Sequence, residues 1–113
     1  MRRVAVVGVG QLPYRSRYAD KTYLALAYEA TKRALLDAKL ETKDVDAVTY
    51  GIYCPVYLRQ EQPDIFLQDY LGMQGKPSLR VSAGAATGGC AVYAAYNQVA
   101  SGMADIVLLL AVQ

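Results

Sequence analysis

At 113 residues the chain is one modest domain or a piece of one, 54% apolar and only 19% charged. That balance suits strands covered on both faces, or surface buried against a partner. A formal net charge of +2 is too small to imply nucleic acid or a membrane surface, and no apolar run approaches the ~20 residues that span a bilayer.

In chain order, residues 3–9 are rich in valine and read as a buried strand, followed by a Gly-, Pro- and charge-containing loop over 10–20. The apolar stretch after Arg2 and Arg3 is too short and glycine-broken for a signal peptide. Arg2, Arg3, Arg15, Arg17 and Lys21 read as a solvated basic rim. Residues 22–40 predict a helix with Leu24, Ala27, Thr31, Ala34, Leu35 and Ala38 on one stripe and Asp20 or Thr22 as cap. A polar connection over 41–44 leads to a second strand at 45–52, then a loop over 53–63 mixing proline, aromatic and charged residues. A short helix at 64–71 ends at Gly72; a third strand follows at 78–83, a helix at 86–101 stopped by Gly102, and an apolar fourth strand at 105–112. Strands alternating with helices predict right-handed crossovers and a mainly parallel sheet, the front part of a larger layered α/β domain.

Chemistry-bearing residues are few. There is no histidine, which excludes Ser–His and Cys–His dyads within this chain. Two cysteines, Cys54 and Cys90, make neither a disulfide framework nor, without histidine, a zinc site, and reduced thiols in a cytoplasmic protein are expected. Gly8 and Gly10 invite a dinucleotide-binding reading, but Pro13 stands where the third glycine belongs and no helix begins at Gly10, so a strand-to-loop turn is expected. Ten tyrosines stand against one phenylalanine. Tyr53, Tyr57, Tyr70, Tyr93 and Tyr96 either line a pocket or pack ordinarily. Asp64, Asp69 and Asp105 read as residues at element ends.

The most informative stretch is RVSAGAATGGCAVYAAY over 80–96, leading into ASGMAD over 100–105. It reads as a strand, a tight small-residue turn, a small-faced helix and a glycine stop. Thr87 is expected to cap the helix, while Gly88 and Gly89 let a backbone or ligand approach its first turn. N–H groups at such a helix start suit an oxyanion.

This stretch resembles the nucleophile region of the thiolase superfamily, most closely the sterol-carrier-protein-type thiolases. Ala86, Thr87, Gly88 and Gly89 fall on that family's Ala-Ser-Gly-Gly, and residues 100–105 on its Ala-Ser-Gly-x-Ala-Asp, with no gap between. Residues 4–14, VAVVGVGQLPY, are similar to the family's opening strand and loop. The resemblance implies a thiolase-like layered α/β/α half-domain with a mainly parallel sheet, ending after its fourth strand. The chain would be the N-terminal part of the N-terminal domain, its C-terminal half and the family's histidine and second cysteine lying elsewhere.

The resemblance sets the nucleophilic cysteine position on Ala85, which carries no thiol and whose Cβ is expected to point into a cavity, with Cys90 a weaker alternative expected to turn into the helix-packed interior. It implies acyl-CoA substrates and carbon–carbon bond formation or cleavage, coenzyme A being part of the substrate and no separate cofactor or metal needed. Two other functions stay open: a thiolase-like retro-aldolase lacking the cysteine and working with a small OB-fold partner chain, and a non-catalytic assembly subunit. It also implies a homodimer through the strand Ser78, Leu79, Arg80, Val81, Ser82 and Ala83. Leu79, Val81 and Ala83 would share one face, and Val81→Pro is expected to weaken that contact.

Overall fold

The structure, a computed structural model, describes residues 1–113. It contains a three-stranded, all-parallel sheet with spatial order β2-β1-β3, where β1 is Ala47–Gly51, β2 Ser78–Val81 and β3 Val107–Ala111. Helix α1 (Tyr23–Ala38) precedes the sheet; α2 (Pro55–Leu58) and α3 (Pro63–Tyr70) join β1 to β2; α4 (Thr87–Ala100) joins β2 to β3.

The topology fixes the layers. The step from β1 to β2 runs to one side of β1 and the step from β2 to β3 runs back past it, so right-handed crossovers put α3 and α4 on opposite faces. Helix α1 joins α3, where the Tyr28 and Tyr70 rings meet edge-on at 6.0 Å. The α1/α3 face holds the main core, in which Val48, Tyr50 and Ile52 of the β1 segment meet Ala27, Leu67, Leu71, Met73, Leu108 and Leu110. Alternate residues of β1 face α4: Thr49 donates to Gln98 at 2.5 Å, and a Cβ on Gly51 would lie 3.0 Å from that of Ala91. Small residues on both sides therefore let α4 lie close to the sheet.

Several expectations are met and several corrected. Thr22 caps α1, its hydroxyl accepting from Ala25 N at 3.1 Å. The loop over 53–63 contains the single-turn helix α2, started by Pro55 at a position where its missing N–H costs nothing.

Residues 3–9 form no strand. A strand requires a ladder partner, and this segment instead lies on α1: a Cβ on Gly8 would stand 2.6 Å from Ala34 O, and one on Gly10 would collide with Ala30 O. Gly8 and Gly10 are thus close-approach glycines rather than a simple turn. Val9 N donates to the Asp37 carboxylate and Arg33 to Gln11 O, fastening the segment there.

Arg2 is exposed, as a rim residue would be, and also bonds back to the fold. Its guanidinium donates to Val99 O and Ala104 O and pairs with Asp105 at 2.7 Å, while its N–H donates to Ala100 O, closing the C-terminus of α4. Cationic donors are favoured at that end of a helix.

Strand β2 ends at Val81, so Ser82 and Ala83 lie beyond it. Pro77 O and Val81 O accept from Val48 N and Ile52 N of the β1 segment. The backbone groups of Val81 therefore face β1, and the outward, unpaired ones belong to Ser78 and Arg80. Val81→Pro would break the internal ladder rather than the free edge.

Candidate functional site

All three strands are parallel and in register at their ends, Gly51 lying level with Val81 and Ala111. Three connecting segments consequently emerge at one edge of the sheet: residues 52–54, 82–87 and 112–113. In open parallel sheets the crevice outside the strand C-termini, where successive crossovers leave on opposite faces, is the position that takes ligands. Here it falls between the ends of β1 and β2.

The turn after β2 is built from very small residues. Gly84 has φ +59°, the left-handed region that glycine occupies without strain, and Gly84–Ala86 form one 3-10 turn that runs directly into α4. Thr87 is not the helix cap; Ala86 occupies that position and no side chain caps α4. The Thr87 hydroxyl folds back instead, accepting from Ala83 N at 3.0 Å and donating to Gly84 O at 2.7 Å. Its methyl lies 3.8 Å from the position of a Cβ on Gly51, so the residue is buried against the end of β1.

Ala85 lies in the middle of this turn, at the junction of strand and helix. It is exposed and lines neither the cavity of about 410 Å³ against α1 and Leu71 nor the one beside α2. Ala86, Gly88 and Gly89 are exposed as well, and nothing lies within 4 Å of a Cβ built on either glycine, so the first turn of α4 is open to an approaching group. Cys90 is half-buried in that turn, beside the buried Ala91. Tyr57 and Tyr93 are about 70% exposed, and Tyr53, Tyr70 and Tyr96 are also at the surface, so none of the five forms an enclosed pocket.

The segment after β1 forms the other side of this edge. Ser82 Oγ donates to Tyr53 O at 2.8 Å. Gln113 Oε1 accepts from Tyr53 N at 3.1 Å and from Cys54 N at 3.2 Å, while its Nε2 donates to Cys54 O at 2.9 Å. Cys54, half-buried, thereby occupies the N-cap position of α2, and it is not bonded to Cys90. Neither the Gln113 nor the Ser82 contact is legible in the sequence, because the partners lie 59 and 29 residues away.

A second buried network stands behind the sheet. Tyr50 donates to Gln68 Oε1 at 2.5 Å, and Gln68 Nε2 donates to Met73 O and Lys76 O, tying β1 to the end of α3. Burial, aided by the Asp64 charge, holds the Tyr50 phenol well above its ordinary range. The network lies on the α1/α3 face of the sheet and supports the core rather than the edge.

No helix is long and apolar enough to cross a membrane. The model of the thiolase N-terminal domain matches residues 4–112. An acetyl-CoA acetyltransferase of Methanothermobacter thermautotrophicus is 35% identical over 114 aligned residues, covering 100% of this chain and 30% of that protein. Human sterol carrier protein 2 is 35% identical over 112, covering 97% of this chain and 20% of that one. The chain thus spans less than a third of the relatives it matches. Among solved structures, a priming β-ketosynthase of the R1128 polyketide pathway overlays 91% of the chain with a TM-score of 0.72 at 23% identity, and 3-oxoacyl-[acyl-carrier-protein] synthase III of Aquifex aeolicus overlays 81% at 0.70 and 24% identity. At those identities the likeness is one of fold. With the model of its N-terminal domain matching nearly every residue, the chain belongs to the thiolase family.

Proposed function

We propose that this chain forms part of an enzyme that makes or breaks a carbon–carbon bond in acyl-CoA thioesters. The observation carrying the reading is the turn over residues 83–87, at the C-terminal edge of a parallel sheet and open toward the uncapped start of α4. Backbone donors at such a start suit a thioester oxygen as it gains negative charge. The similarity to acetyl-CoA acetyltransferases supports the same substrate class.

Ala85 then decides between two routes. A thiolase-type acyl transfer needs a thiolate to attack the thioester and hold the acyl group, and a methyl side chain cannot do this. A retro-aldol route needs no covalent intermediate. A base removes the β-hydroxyl proton, the Cα–Cβ bond breaks, and the oxygen's electrons form a carbonyl. The bonding pair passes to Cα as a CoA enolate, which takes up a proton to leave acyl-CoA and a free carbonyl compound. We infer the second route, with the base supplied from outside these histidine-free residues, in the manner of an OB-fold partner chain. A homodimer through the free edge of β2 belongs to the same reading: Ser78 and Arg80 present unpaired backbone groups there, and the flanking helices expose Ile65, Phe66, Val92 and Tyr93.

The test is product analysis with the complete enzyme. β-Hydroxyacyl-CoA is expected to yield acyl-CoA and a carbonyl compound in stoichiometric amounts, with no acyl label on protein. Label at Cys90 or Cys54 overturns the non-covalent route. An absence of turnover in every combination of subunits leaves the assembly role as the function.

A further inference from the structure

We propose that Gln113 is a positioning residue, which together with Ser82 holds the Tyr53–Cys54 peptide as the fixed wall of the site edge. Just past β1 the chain turns outward into α2, leaving two adjacent N–H donors, of Tyr53 and Cys54, and two carbonyls without ladder partners. These groups lie at the surface, so water is the competing partner for each of them.

A primary carboxamide has both an acceptor and a donor in one plane. Gln113 uses both: one oxygen takes the two converging N–H groups and the NH2 returns a bond to Cys54 O. Ser82 takes the remaining carbonyl, of Tyr53, from the β2 side. One short peptide is therefore bracketed from the strands on both flanks of β1. This is the same edge at which Thr87 fastens the turn after β2. With the N–H groups of Tyr53 and Cys54 occupied by Gln113, they are withdrawn from a ligand, while the N–H groups at the uncapped start of α4 stay open at this edge. The clasp thus fixes one side of the site and restricts which backbone groups can meet a ligand. Its existence stands on geometry alone; its use as a wall of an acyl-CoA site rests on the function proposed above.

The chemistry permits a test that a merely structural side chain would not pass. In the full chain, Gln113→Ala is expected to speed amide hydrogen exchange at Tyr53 and Cys54 about tenfold, the loss of one to two net hydrogen bonds, with Val48, Thr49 and Tyr50 unchanged. Ser82→Ala should loosen the same two amides less. Gln113→Glu separates the two halves of the contact. Its carboxylate still accepts from both N–H groups, now with charge assistance, but has no proton for Cys54 O, so protection at Tyr53 and Cys54 is expected to stay near the wild-type level at neutral pH.

Unchanged exchange in Gln113→Ala, a uniform increase across the sheet, or exchange in Gln113→Glu as fast as in Gln113→Ala overturns the clasp. In the β-hydroxyacyl-CoA assay, Gln113→Ala is expected to raise KM about tenfold with little effect on kcat, the signature of lost binding rather than lost chemistry. Loosened exchange with unaltered KM overturns the wall's role in the site while the acyl-CoA reading stands. A wild-type enzyme without turnover removes that reading, and the exchange results still decide the clasp.

Discussion

Thr87 uses its hydroxyl inside the turn rather than on the helix, and this determines what each replacement should do. Thr87→Val keeps the shape and removes both bonds, leaving Ala83 N and Gly84 O unpaired in a part-buried turn. A loss of about 1–3 kcal/mol is expected by urea denaturation, while Thr87→Ser, which keeps the hydroxyl, should lose under about 1 kcal/mol. Gly8 behaves differently, since its constraint is space. Gly8→Ala forces a methyl onto Ala34 O and the Ala38 side chain, and the N-terminal segment must lift from α1. Trypsin should then cut after Arg15 and Arg17 several times faster, with the sheet still folded. Tyr50 adds a pH effect whose sign follows from burial. Its phenol titrates above the unfolded value of about 10, so its contribution is complete below that pH and is lost as pH rises beyond it, at up to ~1.4 kcal/mol per pH unit. Tyr50→Phe should flatten the alkaline limb of the stability–pH curve; an unchanged limb would show that another group controls it.

Among the elements, α4 depends most on distant residues. Its N-terminus is set by the turn after β2 and its C-terminus by Arg2, from the far end of the chain. The Asp105 partner of Arg2 is largely exposed, so that ion pair contributes little, and the two carbonyl bonds matter more. Arg2→Ala is expected to cost about 1 kcal/mol and to speed amide exchange in the last turn of α4. Arg2→Lys should recover only part of this, since an ammonium lacks the guanidinium's fork of donors. The segment 3–9 shows the converse dependence. Its valines suit extended backbone, but a strand exists only where another strand pairs with it, and here the α1 surface takes the segment through Gly8 and Gly10.

At the scale of the whole molecule, the free edge of β2 is the feature with an assembly consequence. Since the outward groups are those of Ser78 and Arg80, Arg80→Pro removes an edge donor while the ladder to β1 persists. The proposed dimer should then sediment as a monomer at micromolar concentration, with far-ultraviolet dichroism unchanged. A dimer unaffected by Arg80→Pro would exclude this edge as the contact.

Local chemistry made much of this protein legible in its sequence. The periodic stripe of α1 and its Thr22 cap, the apolar runs of β1 and β3, and the small-residue turn between β2 and α4 each depend on neighbours within a few residues. The family resemblance likewise lies in contiguous stretches, residues 4–14 and 80–105. Tertiary structure decided everything whose partner is remote: that residues 3–9 lie on a helix, that Arg2 closes α4, and which way the backbone of Val81 faces. It also decided that Thr87 clasps its turn and that Ser82 and Gln113 hold the peptide after β1. A hydrogen bond spanning 59 residues leaves no periodicity and no motif in the chain. It exists only after the parallel sheet has brought the ends of three strands to one edge.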